Sequence, residues 1–345
     1  MRWNDIHIAG LGTWLPQPRT VQSMMDLGLC GDTPPDAYGY ESVLVAGTGP
    51  EDAPPEMAIR AAATAMKRAG VDAGDYALHL HGSTWFQGLD IWPAASYIAE
   101  RTVGSSVRAF DIQQRCNIGV SGIEMAATFL RAGFPGSAAM LTTADRFDSP
   151  GVDRWNLRPG TVYGDGATAL VLSATGGFAT LRSTVTTADN FLEGRARGDE
   201  QFTTGSRAAT HPVRLADREK TFNDASDESE LMLRLARVMF GAMWGALEEA
   251  EIEIADVAYV ALPSVGRSLS GYLLYDLLSV TEDRTTLPYG LRTGHIGAGD
   301  WIAGLDHLLE SRSLQAGDHV LLMGGGAGYT QTAAVVRIDE VPEWC

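Results

Sequence analysis

The two halves of this 345-residue chain repeat one order of elements, and that repeat restricts the fold more than any other feature. In the first half, short apolar runs predict strands at Ile6–Leu11, Tyr76–His81, Val107–Ile112 and Ala138–Ala144, the third of them a buried one. Apolar and small residues at helical spacing predict helices over Glu56–Ala69, Pro93–Glu100 and Asn117–Ala132. The second half reads as a strand over Phe178–Thr187, helices over Ser229–Ala250, Ser268–Leu278 and Trp301–Ser311, and strands over Val257–Leu262, His319–Met323 and Thr332–Ile338. Each half closes on a glycine turn, Gly164–Ala167 or Gly324–Gly328, followed by a strand. Cys116 lies 25 residues before Leu141, and His295 lies 26 before Leu321. The pattern predicts α/β halves at 1–176 and 177–345, related by a pseudo-twofold axis that brings Cys116 and His295 together. Residues 193–228 interrupt it. They are polar, carry Arg195, Arg197, Arg207, Arg214 and Arg218, and read as a connecting or cover loop without structure of its own.

The matched junctions carry the chemistry. Cys116 stands between a strand and the start of a helix, where unpaired N–H groups and the positive end of the helix dipole favour a thiolate. Cys30 and Cys345 lack such a setting. His295 sits in Thr-Gly-His-Ile-Gly-Ala-Gly-Asp with Asp300 five residues on. In a continuous helix those two would point about 140° apart, but glycines at 294, 297 and 299 predict a non-helical path that permits contact. A thiol, an imidazole and an orienting carboxylate form the set that activates cysteine for acyl transfer. The tetrahedral oxyanion needs donors, and the Cys116 amide and the turn Gly324–Gly328 can present them.

The net charge of −17 argues against nucleic acid and anionic membrane as partners, and makes local arginines necessary for any anionic substrate. No apolar run approaches the ~18 residues of a membrane span. Three cysteines without an evident pairing, and a start that enters a strand directly, predict a cytoplasmic protein. No pattern of metal ligands occurs.

As a set, Cys116 at its junction, Gly164–Ala167, the segment Ala261–Arg267, the His295 loop and the C-terminal glycine turn resemble the thiolase superfamily, specifically its ketoacyl synthase III group. The resemblance covers essentially the whole chain and implies a thiolase-like fold of duplicated halves in a five-layered αβαβα arrangement, forming a homodimer. It aligns Gly326, Ala327 and Gly328 with the family's three glycines, and so implies the Ala327 amide as the second oxyanion donor. Two departures bear on function. Where the family reads Pro-His-Gln-Ala-Asn, this chain reads Pro263-Ser264-Val265-Gly266-Arg267, and the family's Gly-Asn becomes Gly294-His295. Without that His/Asn pair an enolate loses a donor typically worth ~2.7–4 kcal/mol, which disfavours decarboxylative condensation.

The remaining Cys116, His295 and Asp300 resemble a ketosynthase-like malonyltransferase. That likeness implies a malonyl-type thioester donor, on coenzyme A or an acyl carrier protein, as co-substrate with no tightly bound cofactor. It also implies a sugar hydroxyl of an aromatic polyketide glycoside as acceptor. A retained acyl carboxylate would need a cation, and Arg267, Arg154 and Arg158 are the candidates. The alternative is a decarboxylative condensing enzyme of the synthase III type.

Overall fold

Runs such as Ala138–Asp145 and Gly166–Ser173 are buried at every position, the pattern of strands covered on both faces. The computed structural model describes residues 1–345 apart from 31–34, 134–136, 206–211, 268–278 and 328. The chain runs through β1 (His7–Trp14), β2 (Pro18–Thr20), α1 (Val21–Asp26), β3 (Ser42–Leu44), α2 (Pro54–Ala69), β4 (Tyr76–Gly82), α3 (Ala94–Glu100), β5 (Arg108–Ile112), α4 (Ile118–Arg131), β6 (Ala138–Asp145) and β7 (Gly166–Ser173). It continues through β8 (Ala179–Ala188), α5 (Gly194–Arg197), α6 (Leu215–Asp224), α7 (Glu228–Ala250), β9 (Val257–Ala261), α8 (Leu287–Thr293), α9 (Asp300–Glu310), β10 (His319–Met323) and β11 (Thr330–Ile338).

The main sheet has the order β5-β4-β6-β7-β1-β8-β11-β10-β9. From β4 to β9 that order is a palindrome in direction as well as position. β4 and β9 run parallel to β6 and β10, which run antiparallel to β7 and β11. Those in turn run antiparallel to β1 and β8. β1 and β8 meet only through His7↔Thr180 and Ile8↔Ala179, so the sheet is two leaves joined at a short seam.

Strand alternation sorts the side chains into layers. Leu141 of β6, Leu170 and Leu172 of β7, Val320 and Leu322 of β10, and Ala334 and Val336 of β11 share one core with Ile123 of α4 and Trp301, Ile302 and Leu305 of α9. On the outer face of one leaf, Met140, Ala169 and Val171 pack on Met57, Ala58 and Ala61 of α2 and Ile98 of α3. On the outer face of the other, Leu321 and Val335 pack on Ala242, Met243 and Ala246 of α7. The layers are α, β, α, β, α, with α4 and α9 in the middle, as the resemblance implies.

Two expectations change. β5 is not buried: it pairs only with β4 at the sheet edge, and Arg108, Phe110 and Asp111 are exposed. Its residues look like those of an interior strand, but strand order decides which strand lies outermost. Residues 193–228 carry α5 and α6 instead of running without structure. These two pack closely because residue 194 is glycine, where a Cβ would collide with the Phe222 ring. The helix expected over Ser268–Leu278, and Arg207, lie outside the described residues. No described helix is long and apolar enough to cross a membrane.

Candidate active site

Between β5 and α4, Arg115–Asn117 form a single tight turn. Arg115 has a φ of 51°, a left-handed conformation costing a non-glycine residue on the order of 1 kcal/mol or more. Its Nη1 donates to the Thr84 carbonyl at 3.0 Å and holds it there. The turn sets Cys116, buried, at the mouth of α4. Asn117 ties this corner to β11. Its Oδ1 accepts from the Thr332 N–H at 3.1 Å, and its Nδ2 donates to the hydroxyls of Thr330 and Thr332 at 2.9 and 3.1 Å.

The second junction leaves α8 through Gly294 and Gly297, with φ of 72° and 67°, so the expected non-helical path is real and only glycine takes it without strain. It docks on the first at Gly119 in α4, where any Cβ would collide with the Ala298 carbonyl. The His295 backbone is pinned on both sides, its N–H donating to the Val162 carbonyl at 2.8 Å and its carbonyl accepting from the Gly164 N–H at 3.0 Å.

Thus fixed, His295 places Nε2 3.0 Å from Cys116 Sγ and Nδ1 2.5 Å from Asp300 Oδ2. Asp300 is fully engaged: Oδ2 also accepts from the Ser264 N–H at 2.6 Å, and Oδ1 from the Ile296 N–H at 2.9 Å. Burial pulls the His295 pKa down, but the Asp300 carboxylate and the Cys116 sulfur outweigh it and hold the pKa well above its ordinary value. With Nδ1 committed to the carboxylate, Nε2 is the nitrogen that faces the sulfur, in reach for exchanging a proton with it.

Ser264, which the resemblance sets where the family has a histidine, presents its backbone N–H, not a ring, to this trio. Its hydroxyl lies over α8, close enough that a Cβ at Gly290 would come within 2.7 Å of it.

Three further residues shape the site. Asp145, at the end of β6, accepts from the backbone N–H groups of Thr84 and Trp85 at 2.8 and 2.7 Å. Burial pushes its carboxyl up to about 7. Thr84 in turn places its hydroxyl 3.9 Å from Cys116 Sγ. Tyr163 sets its ring edge-on to His295, with centroids 5.2 Å apart. Sequence reasoning passed over all three. Asp145 did leave a signal, as the only charged residue of its strand and at the C-terminal end where sites on α/β sheets gather.

The glycine turn reaches the nucleophile through Gly326, where a Cβ would stand 3.0 Å from the Cys116 amide nitrogen and 2.9 Å from that of Asn117. Ala327 follows it, half-buried. The structure thus brings Cys116, His295, Asp300 and the glycine turn together, and it pairs each of the three candidate arginines with a carboxylate. Arg267 meets Glu282 at 2.9 Å on the surface. Arg154 grips the buried Asp165 through both terminal nitrogens at 2.9 Å. Arg158 meets Glu219 of α6 at 3.0 Å. Among the described residues no group of three His, Cys, Asp or Glu side chains could hold a metal ion.

Comparison with known proteins agrees with this architecture. Residues 110–190 match the model of 3-oxoacyl-[acyl-carrier-protein] synthase III, and residues 247–338 match the model of its C-terminal part. The beta-ketoacyl-[acyl-carrier-protein] synthase III of Roseiflexus castenholzii is 28% identical over 292 residues, covering 84% of each chain. The mycobacterial enzyme of the same name from Mycobacterium tuberculosis is 26% identical over 288 residues, 82% of this chain and 81% of its own. Among solved structures, ChlB3, described as an acyltransferase, is 33% identical with a TM-score of 0.93, over 99% of this chain and all 100% of that one. The synthase III of Aquifex aeolicus shares the fold at a TM-score of 0.77 and 21% identity, over 96% and 99% of the two chains. The chain is an enzyme of the 3-oxoacyl-[acyl-carrier-protein] synthase III family, within the thiolase superfamily.

Proposed function

We propose that this enzyme is an O-acyltransferase, moving a malonyl-type group from a thioester through a Cys116-bound intermediate to a hydroxyl without loss of carbon dioxide. The acceptor would be a sugar hydroxyl of an aromatic polyketide glycoside, and the donor's carrier coenzyme A or an acyl carrier protein. The observation that carries this reading is the contact of His295 Nε2 with Cys116 Sγ, backed by Asp300, together with a serine where a condensing enzyme needs a ring donor. His295 takes the thiol proton, and the thiolate attacks the thioester carbonyl. The oxyanion is stabilised by the Cys116 amide and the glycine turn, with Ala327 as the second donor, and the carrier thiol leaves with the proton. Acylation removes the negative sulfur, one of the two groups raising the His295 pKa, so the imidazole that has given its proton to the carrier thiol stays neutral and accepts the acceptor's hydroxyl proton. The acceptor oxygen attacks the acyl carbonyl, the Cys116 C–S bond breaks, and the departing sulfur recovers the proton from His295.

The likeness to ChlB3 supports this reading. We also propose a cytoplasmic homodimer built from duplicated halves at 1–176 and 177–345, with the exposed edge strand β5 as a surface a second copy could cover. The test is intact mass: donor alone should add one acyl group to the wild type and none to Cys116→Ala. An adduct that survives that substitution refutes the proposal. The relatives named synthase III favour decarboxylative condensation as the second reading. Carbon dioxide release from a malonyl thioester with an acyl primer would establish it.

A further inference from the structure

Helices α5 and α6 bring together charges that the trio does not use. Arg195 of α5 and Arg158, which lies between β6 and β7, both bind the one carboxylate of Glu219 on α6. All three are at least partly buried, their side chains 12%, 39% and 17% exposed. Two guanidinium groups against one carboxylate leave a positive charge in a low-dielectric setting, an arrangement that a second anion would stabilise. Arg195 Nε is also buried with no hydrogen-bond partner among the described residues. Its pKa is lowered, first by burial and also by the nearby Arg158.

The cluster is linked to the reaction site through two tyrosines, Tyr329 and Tyr163. The Arg195 guanidinium lies 5.9 Å from the ring centre of Tyr329, whose N–H donates to the Gly326 carbonyl at 3.0 Å in the turn beside the Cys116 amide. Arg158 closes a turn in which its carbonyl accepts from the Thr161 N–H at 3.2 Å, two residues before Tyr163, whose ring packs on His295. Backbone bonds from Val213 to Gly151 and from Ala216 to Leu157, at 2.9 and 3.3 Å, hold this segment over the loop that carries Arg158.

We propose that Arg158 and Arg195 form an oxyanion subsite for the thioester substrate, with Glu219 as the resident anion that the substrate displaces. The proposal rests on the thioester reading above. The ligand chemistry is an oxyanion borne by the donor, from one of two sources: the free carboxylate of the acyl group or a phosphate of its carrier.

Four donors separate those sources: malonyl and butyryl groups, each on N-acetylcysteamine, which has no phosphate, and on coenzyme A. Loading of Cys116 is followed by intact mass in wild type and Arg195→Met. A loss of about tenfold or more confined to malonyl donors assigns the acyl carboxylate, and the same loss confined to coenzyme A donors assigns the phosphate. An equal loss with neutral butyryl-N-acetylcysteamine, or no loss with any donor, overturns the proposal.

Glu219→Gln removes the resident anion and keeps both cations, so it should lower KM for the charged donor severalfold. An unchanged or higher KM overturns the assignment even if Arg195→Met does not fold. Calorimetry with malonate and inorganic phosphate needs no turnover. The wild type should bind one of them about tenfold or more tighter than Arg195→Met, and a wild type that binds neither counts against the subsite, whatever the fate of the acyltransferase reading.

Discussion

His295 Nε2 lies 3.0 Å from Cys116 Sγ although the two are 179 positions apart in the chain. The two are neighbours because α4 and α9 hold equivalent places in the middle layer, so the corner entering each helix faces the other. An imidazole with raised proton affinity beside the thiol gives its proton somewhere to go. Alkylation by iodoacetamide at pH 7 should therefore be fast at Cys116, and His295→Ala should slow it by roughly tenfold or more, since an unassisted thiol is only a few per cent ionised there. Peptide mapping of the alkylated protein reads this directly. Equal rates in the two proteins would mean that the contact does not activate the sulfur.

Asp300 acts through His295 and keeps a raised proton affinity on a buried ring that burial alone would lower. In Asp300→Asn the burial effect meets less opposition, so the ring pKa should fall, as followed by nitrogen NMR of the imidazole. Acyl transfer should drop by roughly a hundredfold or more, because the amide can present a donor to Nδ1 and favour the wrong tautomer. A variant that keeps both the ring pKa and the rate would remove Asp300 from the mechanism.

Gly326 lies against the Cys116 amide, the first oxyanion donor of the proposed mechanism. A Cβ there approaches the amides of Cys116 and Asn117 to 3.0 and 2.9 Å. Gly326→Ala should crowd the donors and slow acyl-enzyme formation by roughly a hundredfold, while iodoacetamide, whose reaction creates no oxyanion, still alkylates Cys116. Stopped-flow loading and alkylation on the same preparation separate the two effects, and parallel losses in both would mean a displaced nucleophile instead.

The trio was legible because duplication is a property of order and spacing, which the sequence displays. The surrounding contacts were not. The carboxylates that Arg154, Arg158 and Arg267 pair with, Asp165, Glu219 and Glu282, could not be named from the sequence because only folding joins them. β5 looked buried because a short apolar run cannot reveal that a strand lies at a sheet edge. Tyr163 and Thr84 act through a ring edge and a hydroxyl at the ends of loops, where no periodicity marks them. The helices α5 and α6 are short and polar. Their order comes from mutual packing and ion pairs such as Arg218 with Glu200, which propensity does not encode.

Asp145 makes the site pay a pH-dependent stability cost that can be measured apart from catalysis. Its carboxyl titrates at about 7 in the fold because it is buried, against ~3.9 in an unfolded chain. Below the unfolded value both states hold the proton and no cost arises. As pH rises from there to the folded value, only the unfolded state releases the proton, so wild-type stability falls by about 1.4 kcal/mol per pH unit. Above the folded value both states are ionised and the fall ends. Asparagine imitates the protonated acid, its carbonyl oxygen able to accept from Thr84 and Trp85 as Oδ1 does. Urea unfolding should therefore find wild type and Asp145→Asn closest near pH 4 and the variant gaining steadily toward pH 7. Curves that stay parallel across that range would show that Asp145 is ionised in the folded protein, held there by the N–H groups it accepts from.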